Sequence, residues 1–177
     1  MTSTAPAAAA PDASDLEVLT FDLAGETFAV EAGIVREILD LLPETPVPGA
    51  KPFVASVINF RGKVIALADI RLAFGMGQTE PSADSRIVVI ELEFAGEPTL
   101  LGIRTDKVNE VTMLPRTACE PPPSVGMRWR PDYIDFLVKR GTDFTILPDL
   151  HAIFSNGRAA GVAMRASAND QGAALCA

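Results

Sequence analysis

The chain has 177 residues and a formal net charge of −8, with a pI near 4.6. That length fits one domain or two small subdomains sharing a core, and the acidic balance excludes a nucleic-acid role, because phosphate binding needs a basic surface. Only two cysteines, Cys119 and Cys176, occur, both in loop-like sequence, so neither a disulfide framework nor a thiolate metal site is expected. No apolar run approaches a membrane span and the N-terminus lacks a signal-peptide pattern; the cytoplasm is the expected compartment.

Residues 1–15 are rich in Ala, Pro, Ser and Thr. They cannot bury enough apolar area to offset chain entropy, which predicts a disordered tail. Leu19, Phe21 and Leu23 then alternate as a strand, Ala24-Gly25-Glu26 turns it, and Thr27–Val30 returns. Glu31–Ile34 reads as a short helical turn. Val35–Leu42 fits either a helix face or a strand; the prolines at 43, 46 and 48 and its short length favour a strand.

The pivot of the chain is Asn59–Ile70. Val54, Val57 and Ile58 lead in, Gly62 permits the positive φ of a tight reversal, and Val64, Ile65 and Leu67 lead out. Asp69 is placed to cap a short helix, Ile70–Phe74, which Gly75 ends. A polar loop follows to Asp84. Arg86–Phe94 opens on a continuous β-branched run, which marks a central strand. Ala95–Pro98 turns it and Thr99–Arg104 comes back, with apolar positions at Val108, Val111 and Leu114. Pro115–Pro131 is a long proline-rich loop. Tyr133–Val138 and Asp143–Leu147 form a hairpin, Asp149 caps a helix through Phe154, and 155–177 reads as a second disordered tail.

Three segments recur in the same order. Leu23–Glu26 is echoed by Phe94–Glu97, Val35–Ile38 by Val108–Val111, and Lys63–Ile70 by Asp143–Leu150. The offset grows from about 71 to about 80 residues, with the difference assigned to the proline-rich loop. Duplication with about five short strands per half suits a pair of small barrels that need each other for a core.

No catalytic constellation is present. The lone His151 reads as a surface or capping residue. No phosphate loop or dinucleotide fingerprint occurs, and Glu91 and Glu93 fall on the wet face of a strand. Lys63, Arg71, Arg104 and Lys107 are expected to be solvated. Arg128-Trp129-Arg130 reads as a loop edge anchored by its Trp. Arg61, where the pivot hairpin leaves the core, and Glu37, between apolar strand neighbours, stand apart. If their strands adjoin, a partly buried Arg–carboxylate pair is expected, adding little stability but holding a surface in shape.

The chain resembles the CheW family of bacterial chemotaxis coupling proteins. The resemblance rests on Leu19–Val30, Val35-Arg36-Glu37-Ile38, Asn59-Phe60-Arg61-Gly62 with Asp69, Leu101–Val111, and Tyr133-Ile134 with the Asp149 helix; it covers about residues 16–154. It implies a mainly β fold of two small five-stranded SH3-like barrels sharing one core, with short capping helices. It implies a non-catalytic adaptor without a cofactor. Such an adaptor docks chemoreceptor cytoplasmic tips, which are helical hairpins, onto the regulatory domain of a CheA-type histidine kinase. Onto the receptor-facing groove it carries Val35, Glu37, Asn59, Arg61 and Gly62. Ser56 stands where the family usually has Gly, Ala66 where Pro is common, and Phe136 where Gly is usual. These departures leave open an accessory cluster, such as one for twitching motility, with a different protein partner.

Overall fold

A computed structural model describes residues 15–158; most of the two expected tails lies outside the described residues. Among the described residues twelve strands form two six-stranded sheets. The strands are β1 (Leu16–Leu23), β2 (Glu26–Glu31), β3 (Val35–Leu39), β4 (Thr45–Pro46), β5 (Ser56–Phe60), β6 (Lys63–Ala68), β7 (Arg86–Phe94), β8 (Glu97–Thr105), β9 (Lys107–Leu114), β10 (Cys119–Glu120), β11 (Ile134–Arg140) and β12 (Asp143–Pro148). Helix α1 spans Ile70–Ala73, and α2 spans Leu150–Arg158, so α2 continues past the Phe154 boundary expected from the sequence. Val54, expected to lead into a strand, sits instead in a 3-10 turn at Pro52–Val54, where Pro52 presets the helical φ.

The first sheet runs β10-β11-β12-β2-β1-β9 and the second β4-β5-β6-β8-β7-β3. Written this way, every strand of one sheet differs by six in chain order from its counterpart in the other. The duplication is therefore real in three dimensions, but the sheets are not the sequence halves. Each takes its first two strands from one repeat and its last four from the other. Of the pairings that join strands of different repeats, β12 on β2 and β6 on β8 are parallel, while β1 on β9 and β7 on β3 are antiparallel, as are the pairings within a repeat. Neither repeat can complete a sheet alone.

This exchange explains the apolar runs. On β1, Leu16 and Val18 point into a small core inside the first sheet with Ala29, Leu114, Val138 and Leu147. The alternate residues Leu19, Phe21 and Leu23 enter a larger core shared by both sheets. On β7, Ile87 and Val89 face a core inside the second sheet with Ile58, Phe60, Ile65 and Leu67, while Val88, Ile90 and Leu92 face the shared one. A strand with cores on both faces cannot alternate polar with apolar. Gly102 of β8 packs closely against the second inner core. A Cβ there would meet Ile87 Cγ2 at 3.1 Å and Leu67 Cδ1 at 3.2 Å. Gly102→Val is expected to cost about 1–3 kcal/mol by overpacking, read as a lower urea midpoint with unchanged slope.

The two helices cap the repeats alike. Asp69 accepts from the Arg71 amide and Asp149 from the Ala152 amide. The amides of the same two aspartates donate to Phe53 O and Tyr133 O, both at 2.8 Å.

Arg71 corrects the sequence reading. Far from being solvated, its side chain is 1% exposed. Its Nε and one terminal nitrogen bind the two carboxylate oxygens of Asp69, each at 2.7 Å, and the other terminal nitrogen reaches Asp106 Oδ1 at 2.6 Å and Thr79 Oγ1. The hydrogen bond to Asp69 raises its pKa against the opposing effect of burial. Arg104 is also mostly shielded, paired with Glu44, and burial lowers its pKa.

Candidate functional site

The site is built on β3 and the β5–β6 hairpin. At the hairpin tip Arg61 and Gly62 have φ of 49° and 81°, the pair of positive values that a two-residue hairpin turn needs to match strand twist. Asn59 fastens the turn, its Oδ1 accepting from the Gly62 amide at 2.9 Å. Only Gly adopts such a φ freely, so Arg61 is held in a conformation that its residue type disfavours.

β3 is an edge strand bonded only to β7. Its register steps from Val35↔Ile90 to Glu37↔Val89, so one extra residue bulges out at Arg36. Bulges re-aim side chains and blunt exposed edges. Arg36 leaves the ladder to pair with Glu91 at 3.0 Å, and Glu37 turns toward the hairpin tip. Arg61 donates to Glu37 Oε2 from Nε at 3.0 Å and from a terminal nitrogen at 2.7 Å.

That contact crosses the sheet. Three strands separate β3 from β5 in the order, which in a flat sheet would hold them about 19 Å apart at the usual interstrand spacing. The second sheet therefore curls until its edge strand meets its own hairpin tip, and the ion pair fastens the seam. Arg61 is 73% exposed and Glu37 32%, so the pair is wetter than the partly buried one expected.

All five residues singled out from the sequence lie on this surface. Glu37 and Arg61 touch, Asn59 and Gly62 form the turn, and Val35 starts the strand, half-buried against the shared core. Two exposed apolar side chains on the same elements were not foreseen: Ile38 is 43% and Val64 60% exposed. The repeat was the available signal. In the other half Glu110, on bulged edge strand β9, lies 3.9 Å from Arg140 at the β11–β12 tip, and Val111 and Phe144 are exposed as Ile38 and Val64 are.

The three departures from the family pattern are absorbed locally. Ser56 donates to Glu44 at 2.8 Å. Ala66 packs on the shared core, and Phe136 packs on the first sheet's inner core. Trp129 rests half-buried on the shared core, the anchoring expected of it, and Arg130 stacks 4.6 Å from the Tyr133 ring. His151 is exposed, 5.6 Å from the Phe94 ring.

Among the described residues no three His, Cys, Asp or Glu side chains gather to hold a metal ion, and no helix is long and apolar enough to cross a membrane. Asp135 lies on β11, and its carboxyl is raised from the ordinary value by partial desolvation first and then by the charges of Asp149 and Glu31. A carboxyl raised on folding favours the folded state below its unfolded pKa, and that advantage is lost as pH rises through the folded value. Asp135→Asn should therefore raise Tm by about 1–2 °C at pH 7 and leave it unchanged near pH 3, in paired calorimetric scans.

Fold and site together define a duplicated, mainly β module of two six-stranded sheets, with an ion pair fastening the seam of the second. The chain belongs to the CheW-like domain family, whose model matches residues 17–158. It is 26% identical to a chemotaxis protein CheW of Treponema pallidum over 144 residues, covering 79% of this chain and 82% of that one. It is 29% identical to a chemotaxis protein CheW of Klebsiella aerogenes over 140 residues, with coverage of 79% and 82%. The crystal structure of the scaffolding protein TtCheW from Thermoanaerobacter tengcongensis superposes with a TM-score of 0.70 at 30% identity, covering 81% of this chain and 95% of that one.

Proposed function

We propose that this chain is a non-catalytic chemotaxis adaptor that couples chemoreceptor tips to a CheA-type kinase. It works in the cytoplasm, recruited to receptor arrays. The observation that carries the reading is the seam where Glu37 meets Arg61, with Ile38 and Val64 exposed beside it. A helix laid on that seam would bury the two apolar side chains, while the fixed guanidinium and carboxylate set its register. The ion pair adds little stability in so exposed a place. Its contribution is to hold two elements, remote in the sheet order, as one landing surface. The kinase regulatory domain, itself of the same family, docks elsewhere on the curled sheets.

A pull-down with receptor-tip helices and the kinase regulatory domain tests this. Glu37→Arg and Arg61→Glu should each lose receptor capture, and the double charge swap should recover much of it. A swap that recovers nothing would rule out direct pairing as the organising contact. Capture of the kinase alone, with receptor helices ignored by the wild type, would move the chain to an accessory cluster with a different partner.

A further inference from the structure

The two halves differ most in one connection. Val35 and Val108 lie 73 residues apart, but Ser56 and Phe136 lie 80 apart. The additional residues fall in the loop between β10 and β11, whose counterpart between β4 and β5 is shorter. The longer loop builds a groove of about 540 Å³ against the β1–β2 turn and the β11–β12 tip. Met127, Trp129 and Phe144 give it an apolar, aromatic lining, and Glu26, Glu120 and Asp143 stand around it; no Lys or Arg lines it.

From these observations we propose that the groove is a second docking site, separate from the Glu37–Arg61 seam, for a short extended peptide segment of a partner protein in which a basic residue is flanked by apolar ones. Charge selects this occupant. Glu120 and Asp143 have no ion-pair partner among the described residues, and Glu26 is approached only by the largely exposed Arg128, at 4.0 Å. A guanidinium or ammonium group entering the groove meets three carboxylates and the face of an indole or phenyl ring, a combination that favours a cation over any other group. Apolar neighbours of that cation cover Phe144, which is 47% exposed. Pro121 and Pro123 stiffen the wall, so little ordering cost falls on binding. A groove of this size holds a few residues of extended chain.

Trp129 is the only tryptophan in the sequence, so the full chain carries its own reporter. The probe is a blocked heptapeptide with one arginine between leucine and proline; its twin has glutamate in place of the arginine. Titration with the arginine peptide should give a saturable shift in Trp129 emission, weakened by added salt. The glutamate twin, and separately the Asp143→Lys and Phe144→Ser variants, should bind at least about tenfold more weakly. Arg61→Glu should leave the titration unchanged, which keeps this result apart from the fate of the receptor-docking reading. No saturable shift, equal binding of the two peptides, retention of binding by Phe144→Ser, or an emission change that tracks self-association of the chain would each overturn the proposal.

Discussion

Arg71→Leu is expected to lower stability by about 3–5 kcal/mol, a fall in Tm of about 6–20 °C for a domain of this size. The guanidinium is almost wholly enclosed and uses all of its nitrogens: both carboxylate oxygens of Asp69 on one side, Asp106 and Thr79 on the other. Asp106 also accepts from the Ala24 amide at 2.6 Å, and its own amide donates to Asp22 O at 3.0 Å. Arg71 therefore joins the helix that follows β6 to the β8–β9 junction and to the β1–β2 turn of the other sheet. Leucine would replace the volume and leave Asp69, a largely buried carboxylate, with only the cap bond to the amide of residue 71. An uncompensated buried charge, rather than the lost attraction, is what makes the change costly. Two companions separate these terms in thermal melts. Arg71→Lys should recover only part of the loss, because an ammonium cannot match the two-pronged contact. Asp69→Asn combined with Arg71→Leu should be more stable than Arg71→Leu alone, because the stranded charge is gone. A single variant melting within about 2 °C of wild type would show that the network carries little of the fold's stability.

That network marks where reading the sequence stopped short. Arg71 occupies the second position of a four-residue helix, between Ile70 and Leu72, and its neighbours in sequence do not show which groups enclose it. Its burial comes from Asp106 and Thr79, which lie 35 and 8 residues away. The hairpins were legible because their turns are written in adjacent residues: Ala24-Gly25, Arg61-Gly62 and Ala95-Gly96 all take paired positive φ values. β7 was legible because its apolar run has no polar break. The order of the duplication was visible as well, since its motifs repeat. The exchange of strands between repeats was not, because a strand's periodicity records how many of its faces are covered and not which repeat covers them. The two bulges were hidden for a similar reason. An extra residue on an edge strand leaves the pattern looking like simple ambiguity, and Val35–Leu42 read as helix or strand on that account. Sequence reasoning placed Glu37 and Arg61 in one site only by supposing that their strands adjoin; their contact instead depends on the curl of a whole sheet.

Arg61→Asn is expected to abolish most receptor capture, weakening it at least about tenfold, while leaving Tm within about 2–3 °C of wild type. Two small effects on folding oppose each other. The Glu37–Arg61 pair, with its arginine largely in solvent, contributes under about 1 kcal/mol. Against that, residue 61 sits at a φ of 49°, where asparagine is easier to accommodate and is a preferred partner for a following Gly. Docking has no such compensation. Without the guanidinium the hairpin tip is no longer fastened to β3, and Glu37 faces an incoming helix unpaired. Ala24 supplies the control, since its φ of 50° in the β1–β2 turn is nearly the same. Ala24→Asn should relieve the same backbone strain and leave capture intact, because the side chain of residue 24 makes no ion pair. Measured side by side by pull-down and thermal melt, the two substitutions ask whether a strained arginine is retained for folding or for contact. If Arg61→Asn binds receptor helices as well as Ala24→Asn does, the seam is not the landing surface.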